Sequence, residues 1–256
     1  MLIPKEYRND IAVVYWFART ADDIADEGNL SIPQRLEQLE TFENNLRSVL
    51  NNSTGSNLEA ALSDTITKRK LTPVNFYNLI KAFKQDVTKT RYKNFSEVID
   101  YCANSANPVG RILLELFDVR NEKAIFYSDK ICTALQITNF IQDTLIDYQK
   151  GRIYYPLDEM EKFGVDENLF EMRQINDNLK MLIEFSVNRA QLLFDEGKHL
   201  LDYLSGRFRY EITWTIKGGE EILKKIRGAD FDVISNRPYL TKMDYLKISF
   251  KIFIQR

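Results

Sequence analysis

Long stretches of this chain carry neither proline nor glycine. Six prolines and ten glycines punctuate 256 residues. Proline breaks helix interiors and glycine weakens them, so the unbroken apolar-rich runs between them favour helices. Pro4 opens one run predicted to be helical to about Glu27, where Gly28-Asn29 reads as a C-terminal stop. Ser31 is the expected N-cap of the next helix, with Pro33 in its first turn. Asn51 to Asn57 is a polar loop, and Thr72-Pro73 starts a helix reaching about Asp86. Phe95-Ser96-Glu97 leads into a helix through Cys102, which Asn107-Pro108 breaks or kinks. A long helix is predicted from Asn121 to about Asp147, ending at Lys150-Gly151-Arg152. Pro156 and Gly164 punctuate a loop. Asp177 to about Leu204 has helical periodicity, Gly206 separates it from a helix ending near Arg227, and a short helix follows Thr241. With no repeat and no alternating strand, residues 1–256 read as a single all-α domain.

The totals exclude several classes. A net charge of -2 argues against a general nucleic-acid binder. Cys102 and Cys132 lack CxxC spacing and read as core thiols of a reducing compartment, so a cytoplasmic location is expected. One histidine, His199, leaves no Ser-His-Asp triad or multi-histidine metal site. No run approaches the length of a membrane span, and no secretory signal is visible. Met1-Leu2-Ile3 stands directly before a helical pattern, so a short upstream segment is expected.

Two stripes carry the chemistry. Tyr15, Arg19, Asp22 and Asp26 are spaced 4, 3 and 4 residues apart and share one helix face. Ile11, Val13, Val14, Trp16, Phe17 and Ile24 surround them, which predicts a helix buried nearly all round. Gln136, Asn139, Asp143 and Asp147 follow at 3, 4 and 4 in the same kind of apolar context. Each stripe alone could be a solvated helix face. Together they suggest two facing carboxylate pairs for several Mg²⁺ ions, which prefer hard oxygen ligands shared with substrate phosphates. The reaction this suits is ionisation of a diphosphate ester. Metal ions and basic side chains stabilise the leaving group, and aromatic faces such as Tyr15, Tyr101 and Phe140 stabilise the carbocation.

The run Tyr15-Trp16-Phe17-Ala18-Arg19 with Asp22-x-x-x-Asp26, then Asn139-x-x-x-Asp143-x-x-x-Asp147, then Lys150-Gly151-Arg152-Ile153-Tyr154-Tyr155-Pro156 resembles the squalene/phytoene synthase family of head-to-head isoprenyl diphosphate synthases. The resemblance spans nearly the whole chain. It implies an isoprenoid (terpene) synthase helical bundle with a central active-site cavity, Mg²⁺ dependence and an isoprenyl diphosphate substrate, presqualene or farnesyl diphosphate. It implies Asp22, Asp26, Asn139, Asp143 and Asp147 as Mg²⁺–diphosphate residues, and Arg19, Arg152 and Arg237 as diphosphate donors. Gln136 falls beside the second site and Tyr101 near the reacting carbons, with Ala106, Val109 and Gly110 shaping the hydrocarbon tunnel.

Ala18 to Gly28, Tyr101-Cys102-x-x-Ser105-Ala106-Asn107-Pro108-Val109-Gly110-Arg111 and Ile131 to Phe140 are similar to the HpnC-type hydroxysqualene synthase branch of hopanoid pathways. That branch implies lyase-like conversion of presqualene diphosphate and water to hydroxysqualene. One of Asn107 and Arg111 is expected to help place the attacking water, or else they are a helix-kink residue and a surface or phosphate-facing cation. The chain departs from the family at Gly218-Gly219, where several relatives have a tyrosine, which implies a different second half-reaction. Leu145 and Ile146 replace an acidic residue of some relatives. The alternatives are a farnesyltransferase making presqualene diphosphate or squalene, a phytoene synthase, and, from another class, a non-catalytic helical assembly or binding protein. Transient membrane-surface contact and contact with neighbouring pathway enzymes are the partners expected besides substrate, while Ile248 to Ile254, interrupted by Lys251, is too short to establish an anchor.

Overall fold

The computed structural model describes residues 4–254, a bundle of α-helices with no strand among them. Met1-Leu2-Ile3, on which the expectation of an upstream segment rests, lies outside the described residues. The N-terminal half consists of α1 (Lys5–Asp26), α2 (Ile32–Leu50), α3 (Asn57–Arg69), α4 (Pro73–Thr88), α5 (Phe95–Ser105) and α6 (Asn107–Leu116). The C-terminal half consists of α7 (Glu122–Gln142), α8 (Thr144–Gln149), α9 (Leu157–Phe163), α10 (Asn168–Glu171), α11 (Asp177–Gly197), α12 (Gly206–Gly228) and α13 (Lys242–Ile254).

The local signals do what their chemistry predicts. The backbone N–H of Ser31 donates to Gln34 Oε1 at 2.9 Å, and Pro33 sits in the first turn of α2. Asn94, Asn121 and Asn176 accept from first-turn amides of α5, α7 and α11. The whole helix α3 falls where the sequence offered no periodic signal, because its inward residues Leu62, Ser63, Thr65 and Ile66 include two hydroxyls. Short helices α9 and α10 occupy the stretch expected to be a loop. The end of the 177–204 helix tightens into a 3₁₀ segment, Lys198–Tyr203.

Helix α7 is the axis of the molecule. It packs against α6, α11 and α12, and its residues Ile131, Ala134, Ile137 and Ile141 belong to the largest apolar core with Leu182, Ile183, Val187 and Phe194 of α11. A second core holds α1 to α4, around Phe17, Leu46, Leu62, Phe76 and Ile80. At the α6–α7 crossing, a Cβ on Gly110 would lie 2.5 Å from both Cys132 Sγ and Ser128 Oγ. Gly110 is therefore a helix-contact residue rather than a tunnel-shaping one. Gly110→Ala is expected to destabilise the protein by about 1–3 kcal/mol through overpacking. Chemical denaturation checks this, and an unchanged midpoint would show that the helices move apart freely.

Helix α1 differs from the sequence expectation. It buries one face only, through Asp10, Val14, Phe17, Ala21 and Ala25, while Tyr15 is 67% exposed. Ala12 is also exposed, so the Tyr15–Asp26 stripe lies along the edge of the bundle.

No helix among the described residues is long and apolar enough to cross a membrane. In α13, Ile248 and Ile252 turn inward, and Tyr245 stacks on Trp214 of α12 with ring centroids 5.1 Å apart.

Candidate active site

The second acidic stripe is not on one continuous helix. Helix α7 stops at Gln142, and Asp143 joins it to α8. Thr144 Oγ1 donates back to the carbonyl of Ile141 at 2.8 Å, a bond that competes with the helical ladder and bends it. Helical spacing survives the bend, because the Asp143 N–H bonds Asn139 O and the Asp147 N–H bonds Asp143 O, both at 2.8 Å. Asn139, Asp143 and Asp147 thus remain in register.

Lys150 and Arg152 stand between this stripe and that of α1. Arg152 grips Asp26 with both terminal nitrogens, at 2.5 and 3.3 Å, and its Nε donates to the carbonyl of Asp86 at 3.1 Å. Lys150 Nζ donates to Asp26 Oδ2 at 2.5 Å. On the outer edge, Arg19 pairs with Asp22 at 2.9 Å and Asp23 at 2.6 Å. From the segment before α13, Arg237 Nε donates to Asp143 Oδ1, and Gln142 Nε2 bonds the neighbouring Pro238 carbonyl at 2.6 Å. Sequence-predicted Arg19, Arg152 and Arg237 therefore all reach the acidic residues.

Electrostatics mark the site as under-neutralised. Burial pushes Asp26 upward, but hydrogen bonds from Arg152 and Lys150 outweigh it and hold its carboxyl below the usual range. Burial and the nearby Asp26 raise Asp22. Asp147 is pushed up to about 7 by burial and by the charge of Asp143, with a smaller push from Asp26 across the gap. Its Oδ2 is buried and has no hydrogen-bond partner. Beside it, Asp147 and Arg152 help line a void of about 10 Å³, close to the room one small solvent-sized particle needs. A buried anion with a free lone pair is costly unless a cation or donor completes it. Among the described residues no three His, Cys, Asp or Glu side chains converge tightly enough to form a metal site by themselves. The unpartnered Asp147 Oδ2 is a hard oxygen donor of the kind Mg²⁺ takes.

Asp86 was not singled out by the sequence. It lies in the last turn of α4 and accepts from Tyr101 at 2.9 Å and Tyr154 at 3.2 Å. Burial pushes it up to about 6, against the opposing pull of Arg152. Tyr154 stacks on Phe140 at 3.7 Å, and Tyr92 and Tyr101 complete an aromatic cluster. The only sequence signal for Asp86 was an acid within the apolar pattern of α4.

Next to Asn139 opens a cavity of about 800 Å³. Ala106 and Val109 contribute from α6 and its entry, Gln136 and Asn139 from α7, Gly219 and Ile222 from α12. Leu240 and Tyr245 close the side nearest α13. A Cβ on Gly219 would lie 2.4 Å from Phe194 Cζ and 3.0 Å from Leu135 Cδ2, so tight packing of α12 against α11 and α7 accounts for a glycine there.

The two candidates for placing water lie elsewhere. Arg111 forks onto Asp129 of α7 at 3.0 and 2.6 Å. Buried Asn107 accepts from Thr133 at 3.0 Å. Both are spent on the α6–α7 crossing and neither lines the cavity. Tyr15 does not line it either.

Comparison with known proteins places this geometry. The chain is 30% identical to tomato (Solanum lycopersicum) chloroplastic phytoene synthase 1 over 94% of its length, and spans 60% of that longer protein. It is 32% identical to hydroxysqualene synthase from Rhodopseudomonas palustris, covering 97% of this chain and 84% of that one. The crystal structure of squalene synthase HpnC from Alicyclobacillus acidocaldarius superposes with a TM-score of 0.86 at 34% identity, over 90% of this chain and 87% of that one. The sequence model described as squalene/phytoene synthase matches residues 1–244. With two acidic stripes, each paired with cations, and an apolar cavity in an all-helical bundle, the chain belongs to the squalene/phytoene synthase family.

Proposed function

We propose that this chain ionises presqualene diphosphate and quenches the carbocation with water, giving hydroxysqualene and diphosphate. The observation that carries this reading is one stripe running from Gln136 and Asn139, which line the apolar cavity, to Asp143 and Asp147, beside which Lys150 and Arg152 hold Asp26 of the other stripe. Such a polar cluster suits a multiply anionic leaving group, and such a cavity suits its hydrocarbon. The HpnC-type motifs and the 32% identity to a hydroxysqualene synthase support the choice of product.

In this proposal Asp22 and Asp26, with Asn139, Asp143 and Asp147, hold Mg²⁺. When bound, Mg²⁺ supplies neutralisation of the charge that develops on the departing diphosphate. Arg19, Lys150, Arg152 and Arg237 orient the diphosphate. Each is paired with a carboxylate in the structure, and exchanges that partner for phosphate oxygens as substrate enters. Ala106, Val109, Leu135, Ile222 and Leu240 line the cavity and keep bulk water from the cation. Tyr101, Phe140 and Tyr154 do not line the cavity, and the faces of Phe140 and Tyr154 cover each other; Asp86 fixes the two tyrosines by their hydroxyls.

The test is a product analysis. Purified protein is incubated with Mg²⁺ and presqualene diphosphate, without NADPH, and the extract is read by mass spectrometry. Hydroxysqualene, formed only with Mg²⁺ present, is the expected product. Formation of presqualene diphosphate or phytoene from shorter isoprenyl diphosphates, with no hydroxysqualene, would overturn it in favour of condensation. No turnover of any of these substrates would favour a binding protein on the same fold.

A further inference from the structure

Quenching by water needs one water held against the cation inside a cavity that excludes the rest. Several polar groups of the lining are already committed. Thr138 Oγ1 donates to the carbonyl of Ala134 at 2.7 Å, Thr215 Oγ1 to that of Glu211 at 2.9 Å, and Gln142 Nε2 to that of Pro238 at 2.6 Å. Ser105 is different. It is the last residue of α5 and lines the cavity, yet its Oγ is buried with no hydrogen-bond partner. A helical serine ordinarily returns its hydroxyl to the carbonyl one turn back, and Ser105 forgoes that bond. A buried hydroxyl left unpaired is costly, and a water in the adjoining cavity is a partner that would satisfy it on a change of χ1 to another staggered position. Tyr101 lies one helical turn earlier on the same face of α5, so the hydroxyl is beside the aromatic cluster.

Resting on the function proposed above, we propose that Ser105 is the positioning residue that holds the attacking water in the cavity. Ionisation breaks the C–O bond to diphosphate and leaves a cyclopropylcarbinyl cation. The ring rearranges and opens, a ring C–C electron pair becoming a C=C bond, to leave an allylic cation. To this cation the water oxygen supplies both electrons of the new C–O bond. The resulting oxonium loses one proton, and the diphosphate released by ionisation takes it up, so that ester and water become alcohol and protonated diphosphate. Without a held water the same cation loses a proton from carbon instead and leaves as an alkene.

The experiment compares wild type, Ser105→Ala and Ser105→Thr, each as the full chain with Mg²⁺ and presqualene diphosphate. Two quantities are read: the ratio of hydroxysqualene to the dehydrated alkene, and the rate of diphosphate release. Removing one hydrogen bond to the water is expected to lower the Ser105→Ala ratio about tenfold while diphosphate release stays within about twofold. Ser105→Thr keeps the hydroxyl and is expected to keep the ratio within about threefold. The ratio is internal to each turnover, so a poorly folded variant lowers both products together and leaves it unmoved. A wild-type-like ratio in Ser105→Ala, while wild type makes hydroxysqualene, overturns the Ser105 role alone. Wild type releasing diphosphate without any hydroxysqualene overturns the parent reading, and this role with it.

Discussion

Asp147→Asn is expected to lower turnover about a hundredfold to a thousandfold while making the ligand-free protein more stable. The two effects have one cause. Asp147 carries a buried carboxylate oxygen that nothing in the chain satisfies, next to a second carboxylate on Asp143. That is a cost of folding, retained because the site needs uncompensated negative charge. Asparagine removes the charge, and at about pH 8 the unfolding free energy should rise by about 1 kcal/mol. For a chain of this size that is about 2–4 °C in Tm. The pH dependence has a definite sign. The native carboxyl keeps its proton up to about 7, whereas an unfolded aspartate releases it near 3.9, roughly its unperturbed value. Between those values the native state binds more protons, so stability from this group is full below about pH 4 and is lost as pH rises toward about 7. In Asp147→Asn that part of the slope disappears. Asp86, raised to about 6 by burial, leaves a residual slope of the same sign. Denaturant titrations in metal-free buffer at about pH 5 and about pH 8 would measure it. A variant with the wild-type slope, or lower stability at the higher pH, would show that Asp147 already has a compensating partner.

Breaking the Arg152–Asp26 pair is expected to cost both activity and stability, and to cost unequally by side. The pair is largely buried, with side-chain exposures of 12% and 15%. Removing one partner of a buried pair leaves the other desolvated and unpaired. Arg152→Met leaves Asp26 with Lys150 still at 2.5 Å, so the loss is cushioned to about 2 kcal/mol. Asp26→Leu leaves Arg152 with one backbone carbonyl, that of Asp86, as its hydrogen-bond acceptor, and should cost about 3 kcal/mol. The double variant should recover much of the summed loss, because burying neither charge is cheaper than burying one. Both single variants should lose product formation, since one removes a group proposed to orient the diphosphate and the other a group proposed to hold Mg²⁺. Chemical denaturation of the four proteins in a double-mutant cycle gives the coupling, and strictly additive losses would sink the argument.

Much of the fold was legible in the sequence because its signals are local. Pro33 and Pro73 mark first turns, Ser31 and Asn121 act as caps, and Gly28 and Gly151 take positive φ where helices stop. The helical spacing of Asp22 with Asp26, and of Asn139 with Asp143 and Asp147, depends on nothing beyond the neighbouring turn. Helix α3 escaped because its inward face carries polar Ser63 and Thr65 among its apolar residues. The bend at Asp143 escaped because it follows from where the Thr144 hydroxyl bonds.

The sequence by itself determined the helical class, the two acidic stripes and the basic residues that accompany them, since composition and spacing along one chain suffice for these. Only the tertiary structure decided which residues meet. It brought Asp86 between Tyr101 and Tyr154, gave Arg111 to Asp129, and set Gly110 at a helix crossing. It also left the Ser105 hydroxyl without a partner in the cavity wall. Each of these depends on partners far apart in the chain or on how helices pack, and packing distance is not written in the spacing of residues along a helix.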